Sequence, residues 1–446
     1  MVSIARTAVL SSARPKALRF PRPNADLIEI TCAQLYLSRR KTDLKLFLAQ
    51  SSARQVPSPH HARRRLDQGR CLGGYRNGRP ALHHPPGGPS MTTRLPAVAK
   101  DIVVQECKPE FFADCAIVFS GLDADVAGEI EAAFRAADLA VFSNAKNYRR
   151  DPLVPLIVPY VNSSHLAIVP QQQAAHSPPL KKGFIVTNAN CSTTGCVIPL
   201  SALEKAFGPI DTLLITTMQA ISGAGYPGVP GLDILDNVVP HIGGEEEKME
   251  WEMLKILGGI VKQDDGSRAF DMHARTPLRV SASCNRVPVI DGHTACVSIR
   301  FARRPPPSPQ QVREALASFT CDAQTLGCPS APRHIISVHE EADRPQPRLD
   351  RYHQDGAGVS VGRIRQCPVL DIKFVVLSNN VSIGAATSSI INAELAVLKG
   401  IYDEHESLRK ASSEYLAIHR GRYGPAGRSR TLYIQMIQWS RVTLDS

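Results

Sequence analysis

Short apolar segments and one amphipathic helical segment alternate between residues 116 and 143. Residues 116–120 form an apolar run that ends at Gly121, and residues 124–137 place apolar side chains at helical spacing. A second apolar run covers residues 139–143. Because a strand, a turn, a helix and a second strand make a βαβ unit, the pattern predicts a parallel sheet with a right-handed crossover. Further strand-like segments follow at residues 157–161, 165–169 and 184–187.

After residue 187 the pattern changes to helices and strands in mixed order. Such an order is typical of an α+β domain with a mixed sheet and helices on one face. The predicted helices cover residues 192–207, 245–257, 311–319 and 388–398, and the predicted strands cover residues 213–219, 280–289, 294–301 and 370–377. Two of these strands are joined around Asp291-Gly292, a pair that is typical of hairpin turns.

The two ends of the chain differ in composition from its middle. Residues 1–91 contain clusters of arginine, histidine and proline without a sustained apolar period, which predicts a disordered basic extension. Within it, residues 26–49 have apolar spacing that fits either a helix or a strand. Residues 1–25 carry five basic and no acidic side chains, as a mitochondrial targeting segment does, although their prolines would break its helix. Residues 401–446 are predicted to be an atypical tail.

The net charge of +11 is concentrated at the start of the 446-residue chain. Residues 1–100 hold 18 Lys+Arg against 4 Asp+Glu, whereas residues 101–400 have a net charge of −5. Because the central region is mildly acidic, the protein is not a uniformly basic nucleic-acid binder. The chain also lacks an apolar run of about 18–20 residues, so we expect no membrane span.

The 11 cysteines are scattered between Cys32 and Cys367. None forms a CxxC pair, and no histidine cluster accompanies them at zinc spacing, so we expect no metal site. An odd number of cysteines in a long chain also argues against a disulfide scaffold. We therefore expect a reduced, cytoplasmic protein, with a mitochondrial location as the alternative if residues 1–25 are a targeting segment.

The chemistry is centred on Cys191, which follows a predicted strand and opens a predicted helix. The dipole and the unpaired backbone N–H groups of a helix N-terminus favour the thiolate form of a cysteine, which is its nucleophilic form. The same N–H groups could hold an oxyanion. The alternative is a buried cysteine beside a Ser/Thr cap, and spacing alone leaves both interpretations open.

Three further motifs carry candidate site residues. Gln219 ends a strand before a glycine-rich loop that could approach a ligand closely. Glu245 lies in an acidic helix start, which by itself is more often solvated than functional. Arg286 could bind a carboxylate in bidentate fashion, and His293 could transfer protons near neutral pH. Each is more often structural when taken alone, but Cys191 and His293 together suggest a nucleophile and its base.

In this order, the motifs resemble those of aspartate-semialdehyde dehydrogenase in its fungal form. The resemblance extends from about residue 95 to 398. It is carried by Asn190-Cys-Ser-Thr, Gln219-Ala-Ile-Ser-Gly-Ala-Gly, Gly243-Gly-Glu-Glu-Glu-Lys, Arg286 with His293, Asp343-Arg-Pro-Gln-Pro-Arg-Leu-Asp-Arg, Val361-Gly-Arg-Ile-Arg and Ser378-Asn-Asn-Val-Ser-Ile-Gly-Ala-Ala. A glyceraldehyde-phosphate-type dehydrogenase is disfavoured, because Cys191 lies in Asn-Cys-Ser-Thr rather than Ser-Cys-Thr-Thr-Asn.

The resemblance implies reduction of L-aspartyl 4-phosphate to the semialdehyde with NADPH, in the pathway to lysine, threonine and methionine. Cys191 would be the nucleophile that forms a thioester, His293 the general acid/base, and Gln219 the residue that orients the intermediate. The remaining implied roles are Arg286 for the α-carboxylate, Glu245 for the amino group, Arg149 and Lys248 for the phosphate, and Asn380 and Gly384 near the nicotinamide.

The resemblance also implies a domain organisation. Residues 92–190 with 378–400 would form a Rossmann-like α/β NADP-binding domain, and residues 191–377 an α+β domain for catalysis and dimerisation. The protein would therefore assemble as a homodimer or homotetramer.

One family motif is absent from this sequence. The family opens with a glycine-rich GxTGxVG turn that seats the cofactor pyrophosphate at a helix N-terminus. The nearest candidate, which begins at Gly73-Gly74 and ends at Gly78, has the wrong spacing. We therefore expect the first βαβ unit to be missing or replaced. Two alternative functions remain: a non-catalytic dimer partner with a defective cofactor site, and, less favoured, a Cys/His acyltransferase.

Overall fold

The structure is a computed structural model of the full chain. The residues described are 34–38, 44–47, 106–113, 115–225, 228–272 and 277–402, with backbone alone for the first two ranges. The possible targeting segment at 1–25, the glycine-rich candidate at 73–78 and the tail beyond residue 402 lie outside these ranges.

The first sheet contains the predicted parallel strands. Its strands are β1 (Gln34–Ser38), β2 (Leu44–Phe47), β3 (Cys115–Ser120), β4 (Ala140–Ser143), β5 (Leu156–Ile157) and β6 (Phe184–Asn188), in the order β2-β1-β3-β4-β6-β5. The last four strands in this order are parallel, and helix α1 (Ala124–Ala136) connects β3 to β4. Every residue of β4 and β6 is buried, as expected for a parallel sheet that is covered on both faces. The predicted βαβ unit is confirmed.

The edge of this sheet beyond β3 is antiparallel. Strand β1 pairs antiparallel with β3 through Tyr36–Val118 and Ser38–Cys115, and β2 completes a hairpin with β1. A doubly wound nucleotide-binding sheet is mostly parallel. The hairpin therefore occupies the edge at which the sequence lacks the expected first βαβ unit.

The strand predicted at residues 165–169 is wrong. The chain forms a 3-10 helix at Ser163–Ile168, which continues as helix α2 (Val169–Ala174). The Asn162 side chain accepts a hydrogen bond from the Val158 backbone and donates one to the Leu156 carbonyl, both at 2.8 Å, which bends the chain after β5. Short apolar runs that are buried on all sides do not distinguish a strand from a helix.

The second sheet is mixed, as predicted. Its strands are β7 (Ile210–Gln219), β10 (Arg279–Arg286), β11 (His293–Phe301), β12 (Ile336–Val338), β13 (Val359–Gln366) and β14 (Ile372–Ser378), in the order β10-β7-β11-β14-β13-β12. The implied hairpin around Asp291-Gly292 is wrong, because β10 and β11 lie on opposite sides of β7, parallel and antiparallel to it. A turn signal reveals where the chain bends, not which strand becomes the neighbour.

Three helices pack on one face of the mixed sheet: α3 (Cys191–Phe207), α5 (Glu245–Leu257) and α6 (Pro309–Ala317). The other face is open, and it exposes Leu214 of β7 and Cys296 of β11. Helix α9 (Thr387–Leu398) returns to the first sheet, where it contacts β3, β4 and β6. The remaining elements are α4 (Gly231–Ile234), α7 (Asp322–Thr325), α8 (Pro347–Asp350), β8 (Ile260–Lys262), β9 (Arg268–Phe270), 3-10 turns at Pro109–Phe112, Ile221–Ala224 and His353–Gly356, and a π turn at Ser382–Ala386.

Candidate active site

Helix α3 begins at Cys191, three residues beyond the end of β6. Asn190 caps the helix, and its side-chain oxygen accepts hydrogen bonds from the backbone N–H groups of Ser192 and Thr193 at 2.9 and 3.1 Å. An N-cap of this kind fixes the helix start but uses donors of the first turn. These two N–H groups are therefore committed to the cap and are not available to an oxyanion in this arrangement.

Cys191 and His293 face each other across the boundary between the two sheets. The Cys191 Sγ lies 3.2 Å from the His293 Nε2, and the backbone N–H of Ala220 donates a hydrogen bond to the His293 Nδ1 at 3.0 Å. A ring nitrogen that accepts a hydrogen bond carries no proton, so the neutral imidazole holds its proton on Nε2. His293 therefore presents a donor to the sulfur and to any group that binds beside it.

Burial dominates the electrostatics of this pair. It raises the pKa of the Cys191 thiol to about 12, with Glu245 adding to the increase and Arg149 and Arg286 opposing it. Burial, followed by repulsion from Arg286, lowers the pKa of His293 to about 3. Both groups are thus neutral at neutral pH in the protein alone. The predicted effect of the α3 dipole on the thiol is outweighed by desolvation.

Two strand ends and a loop surround the imidazole. Gln219 ends β7 and Arg286 ends β10, and the two residues are paired in the parallel register. The Arg286 Nη1 donates to the Ala220 carbonyl at 2.7 Å. A Cβ at Gly223 would lie 2.9 Å from the His293 Cε1 and 3.0 Å from the Arg286 Nη1. The glycine therefore lets the loop approach both side chains closely.

The acidic start of α5 belongs to the site. Glu245 is buried, and its carboxylate accepts hydrogen bonds from the Asn190 side-chain amide at 2.6 Å and from the Lys248 ammonium at 3.1 Å. Gly244 precedes the helix at φ +65°, a conformation that glycine adopts without strain. The solvated helix start that composition alone favours is wrong here, because Glu245 is turned into the protein.

Arg149 is connected to Asn190 by Glu252, a buried glutamate that the sequence motifs did not indicate. Its Nη1 lies 2.8 Å from the Glu252 carboxylate, and its Nη2 donates to the Asn144 carbonyl at 2.8 Å. The second Glu252 oxygen accepts the Asn190 backbone N–H at 2.7 Å. A signal did exist in the sequence, because Glu252 lies seven residues after Glu245 and so falls on the same face of the helix.

Asn380 and Gly384, predicted to lie near a nicotinamide, contact the catalytic elements. The Asn380 amide donates to the Ser222 hydroxyl at 2.8 Å, and its oxygen accepts the Gly292 backbone N–H at 2.9 Å. A Cβ at Gly384 would lie 2.9 Å from the Cys191 Cβ. The structure therefore brings all nine candidate residues into one connected region around Cys191.

The carboxyl ends of β3 and β4 lie on the nucleotide-binding side of the site. Ser120 and Ser143 end these strands, and both hydroxyls donate to one oxygen of the buried Glu131, at 2.5 and 2.7 Å. Open α/β sheets bind ligands in the crevice at the carboxyl ends of their strands. Among the described residues, no group of three or more His, Cys, Asp or Glu could hold a metal ion, and no helix could span a membrane.

A cysteine in contact with a histidine, next to the ligand-binding edge of a Rossmann-like sheet, is an arrangement that fits one class of enzyme. That class is the nicotinamide-dependent oxidoreductases with a cysteine nucleophile.

Comparison with known proteins narrows the class. Residues 83–169 match the family described as "Semialdehyde dehydrogenase, NAD binding domain", and residues 200–383 match "Semialdehyde dehydrogenase, dimerisation domain". The chain is 66% identical over 309 residues to the aspartate-semialdehyde dehydrogenase of Cryptococcus neoformans, covering 69% of this chain and 83% of that one. It is 55% identical to the enzyme of Saccharomyces cerevisiae, covering 70% and 85%.

A solved structure agrees with the sequence matches. The aspartate-semialdehyde dehydrogenase of Candida albicans, solved with NADP, aligns with a TM-score of 0.63 and 54% identity, covering 69% of this chain and 85% of that one. The chain belongs to the aspartate-semialdehyde dehydrogenase family.

Proposed function

We propose that this chain reduces L-aspartyl 4-phosphate to L-aspartate 4-semialdehyde with NADPH and releases phosphate. The observation that carries the proposal is the Cys191 Sγ at 3.2 Å from the His293 Nε2, beside the charged groups of Arg149, Arg286 and Glu245. The product would serve the synthesis of lysine, threonine and methionine, as the family name implies.

The charged groups suit a substrate with two anionic ends and one cation. Arg286 would bind the α-carboxylate, and Glu245 would bind the amino group. Arg149 and Lys248 would bind the phosphate. The Arg149 Nε is buried and has no hydrogen-bond partner within the described ranges, which leaves it as a donor for a phosphate oxygen.

In the proposed mechanism, the Cys191 thiol transfers its proton to the phosphate of the bound substrate, and the thiolate attacks the acyl carbon and expels that phosphate, which leaves a thioester on the enzyme. Asn380 and Gly384 would lie beside bound NADPH, which would supply the hydride that reduces this thioester. The resulting tetrahedral thiohemiacetal collapses, so that the C–S bond breaks and the aldehyde leaves. His293 holds a proton on Nε2, where it can stabilise the tetrahedral oxygen, and a proton from solvent restores the Cys191 thiol after the C–S bond breaks. Gln219, buried at the end of β7, would orient that intermediate.

We expect the nicotinamide end of the cofactor to lie beside Asn380 and Gly384. Gly384 has no side chain, so the turn at Ser382–Ala386 packs closely against Cys191. The glycine-rich turn that would hold the pyrophosphate is absent from the sequence, so we expect weak NADPH binding. Titration of the full chain with NADPH tests this expectation. Tight binding would refute the defective cofactor site, whereas no binding would favour the non-catalytic dimer partner.

We also propose that two copies associate through the open face of the mixed sheet. This face lies within the segment that matches the dimerisation domain, and it exposes 44% of Leu214. Exposed apolar side chains on a sheet face are typical of subunit interfaces. Analytical ultracentrifugation should find dimers or tetramers, and Leu214→Asp should shift the population towards monomers.

The nine described cysteines are free thiols, which is consistent with a cytoplasmic enzyme. Cell fractionation of a tagged full chain checks this location, and import into mitochondria would contradict it.

The decisive assay runs the reaction in reverse with aspartate semialdehyde, inorganic phosphate and NADP. We expect NADPH formation that requires all three components. Acyl transfer from an aspartyl thioester without NADP would instead favour the Cys/His acyltransferase.

A further inference from the structure

The proposed mechanism leaves Glu252, a buried charged group beside the nucleophile, without a role. We propose that Glu252 is a positioning residue. It holds the phosphate-binding Arg149 and the backbone before Cys191 in a fixed position relative to each other. The role rests on the proposed function, because it assumes that Arg149 binds the phosphate. Its physical basis is one carboxylate shared between two elements of the site.

The first contact fixes the Arg149 guanidinium. Glu252 is 0% exposed and Arg149 7% exposed, and the two are joined at 2.8 Å. The Asn144 carbonyl accepts a hydrogen bond from the other terminal nitrogen, also at 2.8 Å. Since two nitrogens of a rigid planar group are held, its plane is fixed and Nε remains as the donor for a ligand. Glu252 thus sets the orientation of the phosphate-binding group.

The second contact fixes the start of α3. The other Glu252 oxygen accepts the Asn190 backbone N–H at 2.7 Å, one residue before Cys191. Glu245 holds the Asn190 side chain, but it is also the proposed ligand of the substrate amino group. Substrate binding can therefore perturb the contact with Glu245, whereas the contact with Glu252 persists.

Glu252 is not needed to attach the neighbouring loop to α5. Lys255 on the same helix already donates to the carbonyls of Arg149, Asp151 and Val154, at 2.8–2.9 Å. A buried ion pair seldom adds net stability compared with apolar residues of similar volume. The carboxylate is therefore better explained by the geometry that it imposes on the site.

The test is Glu252→Gln in the full chain. A glutamine at this position has one acceptor oxygen and one NH₂ donor, so it cannot satisfy both the Arg149 guanidinium and the Asn190 N–H. The two readouts are the pH dependence of Cys191 alkylation by iodoacetamide, followed by peptide mass spectrometry, and the protection of Cys191 by inorganic phosphate. Neither readout requires turnover.

We expect the phosphate concentration for half-protection to rise about tenfold, the equivalent of one charge-assisted hydrogen bond. We also expect the alkylation midpoint to move to higher pH, because Arg149, which lowers the pKa of Cys191, is no longer held in place. A folded variant in which either readout matches wild type would overturn the proposal. So would a wild-type protein that phosphate does not protect.

The matched control is Glu247→Gln. Glu247 is on the same helix and pairs at 2.5 Å with Arg150, on the same loop as Arg149, but both side chains are exposed. Both readouts should equal wild type in this variant. If Glu252→Gln does not fold, Glu252→Asp keeps the charge but is too short to span both partners, and unchanged phosphate protection there would refute the role.

A wild-type chain that forms no NADPH in the reverse assay would refute the proposed function. The alkylation readouts would still test the link from Glu252 to Cys191.

Discussion

The two ends of the site are built differently. At the catalytic end, α3, α5 and the ends of β7 and β10 converge on Cys191 and His293, and Asn190 donates hydrogen bonds to Glu245 and Glu252 of α5. At the cofactor end, the sheet is flanked by an antiparallel hairpin rather than by a further parallel strand. There the buried Glu131 keeps one oxygen without a partner among the described residues. From this difference we expect thiol chemistry and cofactor binding to be separable in this chain.

Cys191→Ser is the test of this separation with the largest expected effect on activity. A serine at this position cannot replace the thiolate as nucleophile, so we expect kcat in the reverse assay to fall about 10⁴-fold or more. NADPH affinity should stay within about twofold of wild type, because serine keeps the size and the neutral charge of the thiol. Steady-state kinetics and fluorescence titration measure the two quantities. Turnover that survives the substitution would rule out the covalent mechanism.

His293→Asn should have the next largest effect. Removing the donor beside the sulfur should lower kcat about 10²–10⁴-fold. The ring is neutral at neutral pH, because burial lowers its pKa to about 3. We therefore expect the wild-type rate to show no titration of His293 between pH 5 and 8. A rate profile whose acid limb near pH 6.5 disappears in His293→Asn would contradict the assigned protonation state.

Most of the fold is predictable from the spacing of apolar residues. Helix α5 has the predicted bounds, Glu245–Leu257, because its charged and apolar faces are clearly separated. The 3-10 helix at Ser163–Ile168 was not predictable, since a short apolar run fits a strand as well as a helical turn. The position of β10 beyond β7 was missed because neighbours in a sheet depend on long-range packing.

The motifs located the site but not its electrostatics. They identified Cys191 and His293, because nucleophile and base residues recur at recognisable positions in the chain. The raised pKa of the thiol comes from burial by distant segments, which local sequence does not encode. Glu252 was missed because a glutamate inside a charged helix has the appearance of a solvated side chain.

Gly223→Ala tests whether the loop at the catalytic end must pack closely against the His293 ring. Its Cβ would lie 2.9 Å from the His293 ring, so the ring or the loop must shift. We expect kcat to fall about 10- to 100-fold, because small displacements of catalytic groups are costly. Gly243→Ala is the control, since a Cβ there meets no atom within 4 Å. Equal activity of the two variants would show that the loop has room to adjust.

The smallest effect is expected at Glu131, at the cofactor end. Desolvation, opposed by Ser120, Ser143 and Arg149, raises the pKa of this carboxyl above its usual value of 4.5. The folded chain therefore binds more protons than the unfolded chain above that pH, and the contribution of Glu131 to stability declines as pH rises. Glu131→Gln keeps an acceptor for both serines but does not titrate.

Urea denaturation at pH 5 and pH 8 measures this effect. Relative to wild type, Glu131→Gln should gain free energy of unfolding as pH rises, whereas Glu129→Gln, at an exposed position of α1, should show no such trend. Cys191 alkylation should be unchanged in both variants, because Glu131 is not among the groups that shift the pKa of Cys191. If Glu131→Gln altered the reactivity of Cys191, the two ends of the site would be coupled, and the separation inferred here would fail.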